Sequence, residues 1–266
     1  MIPRADIVEW RNAGHPWKTD VQVEQDLVLS RMLVELFRGG TLAEKLIFRG
    51  GTALHKLILP RPVRYSEDLD FVQSMPGPIG PIFDEIRSIF DGWLGKPRRK
   101  IGPGVVNLVY RVASEDTPPL PLRVKIEINT REHFQIWPIE QREIQITSRW
   151  FTGAAVVPVY RAEELLATKM RALYQRRKGR DLFDLAEGLR QEGVSPESIA
   201  AAFIRYSENA KQKITANSFR ANLAEKLAHP GFLTDCPPLL LAGVRFNAEE
   251  DRALVDRELI SRIDGN

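Results

Sequence analysis

Between Phe48 and Phe71 the chain sets a glycine pair, Gly50 and Gly51, ahead of a strand pattern carrying two acids, Asp68 and Asp70. Alternate residues of a strand share a face, so Leu69 and Phe71 turn to a core while both aspartates point out together. Neighbouring carboxylates repel unless a positive charge lies between them, and a hard divalent cation such as Mg²⁺ takes oxygen ligands and bridges carboxylates to phosphates. Glycines opening a helix offer unobstructed backbone N–H groups at its positive end. The stretch therefore points to a metal acting on a phosphate. Set against this, Asp-x-Asp pairs are common on solvated strand edges, and Gly50-Gly51 on its own reads as a tight turn.

Around that stretch the chain reads as α+β. Residues 1–18 read as a loose segment punctuated by Pro3, Gly14 and Pro16. Leu29, Leu33, Leu36 and Phe37 recur at helical spacing over 20–37, and a helix is predicted over 52–59, ended by Pro60. After a Pro/Gly-rich linker at 76–81 come a helix at 82–93, a basic turn at 96–100 and strands at 105–112, 122–129, 143–147 and 156–160. From 161 the pattern is helical, at 162–178, 181–190, 196–211, 215–228 and 248–262. The boundary falls at the switch: 1–160 forms an α/β domain, 161–266 a helical one.

Two further clusters carry charge in places that need explaining. In the strand 122–129, Leu122, Val124, Ile126 and Ile128 take one face and Arg123, Lys125, Glu127 and Asn129 the other. If this strand neighbours the Asp68 strand, Glu127 becomes a third carboxylate, as sites with two ions about 3.5–4 Å apart require. Otherwise it is a solvent-facing charged strand. On the predicted helix 162–178, Lys169 lies within an apolar stripe of Leu165, Leu166, Ala172 and Leu173. Such a lysine either snorkels to water or meets an anion, and a nucleoside triphosphate would be one. Asp181 reads equally well as the N-cap of the next helix, with Asp184 in its first turn. Arg176, Arg177, Lys178 and Arg180 are either a solvated helix end or a grip on RNA phosphates.

Composition narrows the class. The 266 residues are 43% hydrophobic, enough for a sizeable core, and no run approaches the roughly 20 apolar residues of a membrane helix. The first residues carry no signal pattern and Cys236 is the single cysteine, so the expected home is a reducing cytoplasm without disulfides. The net charge of +3 permits a nucleic-acid partner without demanding one. His15, His55, His133 and His229 are scattered without metal-ligand spacing.

Taken as ordered blocks, Gly50-Gly51-Thr52 with Lys56, Arg64 to Phe71, Val159 to Lys169 and Lys178 to Leu185 resemble the AbiEii/AbiGii toxin family of nucleotidyltransferases, including its MenT-like branch, within the DNA polymerase β-like superfamily. The resemblance covers about residues 20–240. It implies that Gly50, Gly51, Thr52, Lys56, Arg64 and Ser66 surround the nucleotide and that Asp68 and Asp70 ligate Mg²⁺. It further implies Lys169 and Asp184 as the catalytic pair of the helical domain, with Asp181 beside them. Ser66 matches a serine phosphorylated in some relatives under antitoxin control. The implied activity transfers a nucleoside monophosphate from an NTP to an acceptor, with the 3′ end of tRNA expected. This would block translation, as in phage defence, under a separately encoded antitoxin. The site is expected in the cleft between the domains. The rivals are a metal-dependent nuclease using Lys125 and Glu127 beside the aspartates, a catalytically silent nucleotide- or RNA-binding protein, and transfer to protein hydroxyls.

Overall fold

Thr19 opens helix α2 (Asp20–Phe37) with a capping box: its hydroxyl accepts the Gln22 N–H while the Gln22 side chain returns to the Thr19 N–H. In the computed structural model, which describes residues 2–264, α2 is buried along most of its length and forms the spine of the first unit. Phe37 meets Phe71 at a ring-centroid distance of 5.9 Å, and Phe71 meets Phe48 at 5.1 Å, so aromatic contacts tie the helix to the two strands around the glycine pair.

Those strands belong to one mixed seven-stranded sheet. In chain order they are β1 (Leu46–Arg49), β2 (Asp68–Gln73), β3 (Arg98–Gly102), β4 (Val105–Ala113), β5 (Pro121–Asn129), β6 (Glu140–Thr147) and β7 (Thr152–Val159). The spatial order is β3-β4-β5-β2-β1-β7-β6. β2 pairs with β5 in parallel and β1 with β7 in parallel, and the other pairings are antiparallel. Leu69, Phe71, Leu108, Tyr110, Val124, Ile126 and Ile128 are buried on the inner face. Helix α5 (Gly80–Leu94) adds Phe83, Ile86 and Phe90 to the same core.

Three local expectations are corrected. The segment before residue 18 is not loose: α1 (Arg4–Asn12) starts after Pro3 and ends before Gly14, whose φ is +112°. Proline and glycine act there as start and stop signals of a helix. The predicted basic turn at 96–100 overlaps a strand, β3, whose ladder to β4 outweighs its charged composition; Arg99 turns inward over the Phe83 ring at 5.0 Å. Cationic edge strands of this kind resist pairing with other chains. The helix predicted at 52–59 begins earlier, as α4 (Gly50–Ala53), after a four-residue α3 (Leu42–Lys45), and continues as a π-helical turn over Leu54–Ile58.

Contacts divide the chain into two compact units, one ending at Tyr160 and the next starting at Arg161. The second is helical: α6 (Ala162–Gln175), α7 (Gly179–Leu189), α8 (Pro196–Asn209), α9 (Ala216–Leu227), α10 (Pro230–Leu233) and α11 (Ala248–Glu258). α6 packs on both α7 and α8, and the buried Tyr206 hydroxyl donates to Glu164 across the α6–α8 contact at 2.7 Å. No helix among the described residues is long and apolar enough to cross a membrane.

α1 is fastened by a buried carboxylate. Asp26 accepts from Trp10 Nε1 at 2.9 Å and from Lys56 Nζ at 2.6 Å, and His15 Nδ1 lies 3.2 Å away. Burial alone would raise its pKa, but Lys56 and then His15 outweigh burial and hold it well below the usual carboxylate range. Its contribution is therefore present above the ordinary carboxylate pKa and is lost as pH falls below it. Asp26→Ala strands both donors and is expected to destabilise the first unit by about 3–5 kcal/mol in urea unfolding at neutral pH.

Candidate active site

The glycine pair is demanded by close approach. β1 runs out of its apolar residues at Arg49, and Gly50 then takes φ +81°, a conformation L side chains rarely adopt. A Cβ at Gly50 would lie 2.8 Å from the Asp70 Cβ and closer still to its carboxylate. At Gly51 it would lie 2.5 Å from Arg64 Nη2 and 3.0 Å from Ser66 Oγ. Backbone thus presses directly on the aspartate strand and on a buried guanidinium. Thr52, fully buried, donates its hydroxyl to the Asp68 carbonyl and shares a 2.9 Å hydrogen bond with the Ser66 hydroxyl. Its placement is that of a fastener between helix and strand.

The parallel register of β2 and β5 sets Asp68 opposite Lys125 and Asp70 opposite Glu127. The adjacency on which a third carboxylate depended is therefore present. Lys125, expected beside the aspartates only in the nuclease alternative, has its ammonium 2.9 Å from Asp68 Oδ2 and 3.0 Å from Glu127 Oε2. The signal lay in the Lys125-x-Glu127 spacing, which gains meaning only once the strand partner is known. Burial lowers the Lys125 pKa, but Asp68, Asp70 and Glu127 together outweigh it and the net shift is upward. Burial raises Asp68 against the opposing pull of Lys125. Burial, then the charges of Asp68 and Glu127, push Asp70 up to about 6.

These groups suit a hard cation. The donors are carboxylate oxygens, and three acids face one ammonium, a surplus of negative charge that a divalent ion would neutralise. Glu127 is nevertheless engaged by Lys125, and among the described residues no three acidic, histidine or cysteine side chains enclose a common point. The fit is to Asp68 and Asp70 as a pair, with the expected third ligand, Glu127, held off by its lysine.

Lys56, expected near the nucleotide, spends its charge on Asp26 and on Ser30 at 2.8 Å. It lines a cavity of about 150 Å³ with Trp10, Trp17, Asp26, Arg64 and Ser66.

In the second unit, Lys169 neither snorkels to water nor stands free. Its ammonium is buried, 2.8 Å from Asp184 Oδ2 and 3.3 Å from Asp181 Oδ1, both acids being inaccessible. Arg176 grips Asp181 through 2.7 and 2.8 Å bonds. Burial would raise the Asp181 pKa, yet Lys169 and Arg176 bring it down. The N-cap reading of Asp181 is corrected: α7 begins at Gly179, so Asp181 falls in its first turn and its side chain serves the ion cluster. Of the four cations expected to hold RNA, Arg176, Arg177, Lys178 and Arg180, three are engaged internally, Arg176 by Asp181, and Lys178 and Arg180 by Asp235 at 3.1 and 3.8 Å.

Asp70 gives a test of this electrostatic picture. Its raised pKa means that between the ordinary carboxylate value of 3.8 and about 6 the folded chain holds a proton the unfolded chain has lost. Stability from this group therefore falls as pH rises through that window. Asp70→Asn is expected to stabilise the metal-free protein by about 1–3 kcal/mol near neutral pH, with the gain vanishing near pH 4, in melts across that range.

Comparison with known proteins adds the lineage. A family model described as nucleotidyl transferase AbiEii toxin, Type IV TA system, matches residues 31–248. No curated protein sequence matches the chain. Among solved structures, MenT4, a nucleotidyltransferase toxin from Mycobacterium tuberculosis, aligns with TM-score 0.67 and 16% identity over 99% of this chain and 91% of that one. JHP933 from Helicobacter pylori aligns with TM-score 0.53 and 16% identity over 93% and 95%. At such identities the structural likeness speaks for the fold, while the sequence model spans most of the chain. The protein belongs to the AbiEii nucleotidyl transferase toxin family of Type IV toxin–antitoxin systems.

Proposed function

We propose that this chain transfers a nucleoside monophosphate from an NTP to the 3′-hydroxyl of an RNA, with tRNA as the expected acceptor. The observation that carries the reading is the pairing of β2 with β5, which gathers Asp68, Asp70, Lys125 and Glu127 beside a glycine backbone pressed against Asp70. The acceptor oxygen attacks the α-phosphorus, the bond to the β-phosphate oxygen breaks, and pyrophosphate leaves. Asp68 and Asp70 are the residues that would hold Mg²⁺, which when bound supplies positive charge against the reacting phosphate. Gly50 and Gly51 let the nucleotide phosphates approach the backbone, with Arg64 behind Gly51 and Ser66 beside it. Glu127, partly exposed at 33% of its side chain, is better placed than the inaccessible Asp184 to take the acceptor proton. Lys169 and Asp184 enter through the family motif, and their mutual ion pair makes any incoming anion a competitor for the lysine. The consequence would be modified tRNA, arrested translation and growth arrest in the cytoplasm, including during phage defence, relieved by a separately encoded antitoxin.

The arrangement of Lys125 between Asp68 and Glu127 also suits metal-assisted phosphodiester hydrolysis. One assay separates the readings. With labelled NTP, Mg²⁺ and total tRNA, the wild type is expected to give lengthened, labelled RNA, with activity reduced about 100-fold or more in Asp68→Ala and clearly in Lys169→Ala. Shortened RNA would mean hydrolysis, and binding without turnover would mean a silent binding protein.

A further inference from the structure

The sheet face that carries Asp68, Asp70 and Glu127 does not end with them. Cross-strand register places Lys100, Asn107, Glu127 and Asp70 in one row running over β3, β4, β5 and β2. The next row on the same face is Arg98, Val109, Lys125 and Asp68, and beyond it Arg111 stands opposite Arg123. The intervening rows point the other way into the core, as the burial of Leu108, Ile126 and Leu69 shows.

Arg98, Lys100, Arg111 and Arg123 are all exposed. None has an ion-pair partner among the described residues, in contrast to Arg176, Lys178 and Arg180. Like charges directly opposite on a sheet destabilise it, so the Arg111–Arg123 pair, with no acid to relieve it, carries a cost in the free protein that a bound anion would remove. With strands about 4.8 Å apart, Lys100 and Arg98 lie roughly 14 Å from the aspartates, and Arg123 roughly 7 Å along β5 from Lys125. The spacing suits several successive phosphates rather than one.

We propose that this strip, formed by Arg98, Lys100, Arg111 and Arg123, holds the backbone of the RNA acceptor just upstream of its 3′-hydroxyl. RNA as the occupant rests on the reaction proposed above; the cationic strip itself rests on register, exposure and missing counter-charges. Phosphates lying across β4 and β5 would deliver the terminal hydroxyl to the acidic end of the same face, and their neutralisation would make binding steeply dependent on salt.

The test is fluorescence anisotropy of a labelled single-stranded RNA on the full chain, titrated with salt. It compares the wild type with a variant carrying Arg98→Gln, Lys100→Gln, Arg111→Gln and Arg123→Gln. A charge-matched control carries Arg205→Gln, Lys211→Gln, Lys213→Gln and Arg245→Gln, all exposed positions of the second unit. The strip variant is expected to lose about tenfold or more in affinity, its salt slope falling by about 0.7 per phosphate contact removed, with the control near wild type. In the transfer assay the strip variant should raise the KM for RNA and leave the KM for NTP unchanged. Equal losses in both variants, no loss in either, or competition by an acidic peptide but not by RNA would overturn the proposal. RNA binding that depends on the strip without nucleotide addition would refute the reaction and spare the strip. Nucleotide addition indifferent to the strip would do the reverse.

Discussion

The arrangement depends on one pairing, the parallel ladder that aligns β2 with β5 residue for residue. It brings three carboxylates onto one face of the sheet, an arrangement that water would screen and burial penalises. The apolar residues between them hold the strands in register: Leu69, Phe71, Ile126 and Ile128 are all buried, and a slip by one residue would turn them out to solvent. The ladder thus keeps charges together that would separate if left to themselves. Lys125 answers part of the repulsion and a proton on Asp70, at an apparent pKa of about 6, can answer more.

The Asp68–Asp70 group and the Lys169 cluster handle charge in opposite ways, the latter more like the matched Asp26–Lys56 pair of the first unit. In the second, Lys169 and Arg176 are matched by Asp181 and Asp184, with Lys169 and both acids buried and Arg176 closing the cluster from its exposed side. In the first, the acids outnumber the single ammonium between them and part of the group stays accessible, Asp68 with 32% of its side chain exposed. An unbalanced, reachable cluster keeps a surplus of negative charge that its own lysine leaves unanswered. A balanced, inaccessible one stabilises its own fold and yields a charge only to a competitor strong enough to displace its partner. Family motifs weigh both clusters alike; their electrostatics do not.

Much of the geometry of the candidate site was legible because alternation along a strand is a local property. Asp68 and Asp70 on one side, and Lys125 with Glu127 on one side, follow from period two alone. Which strand lies next to which is nonlocal, and no spacing in the chain announces that β5 inserts beside β2 while β1 takes the other flank. That is why Lys125 entered only through the nuclease alternative until the register was known. The same limit hid β3, whose charges are tolerated because β4 supplies the ladder, and α1, whose docking depends on Trp10 finding Asp26 sixteen residues later. Lys56 is a different case. It lies in the right block, but its partner sits on α2, outside the motif altogether.

Gly50 links these points. A side chain there would have to occupy the space of the Asp70 carboxylate, so the backbone can approach the acid only because the residue has none. That approach contributes to the burial that raises the Asp70 pKa. An acid that keeps its proton more readily than usual is a poor ion-pair partner in the free protein. The glycine and the aspartate are therefore coupled: only a residue without a Cβ leaves the Asp70 carboxylate its place against the backbone, and that same closeness adds to the burial that raises its pKa.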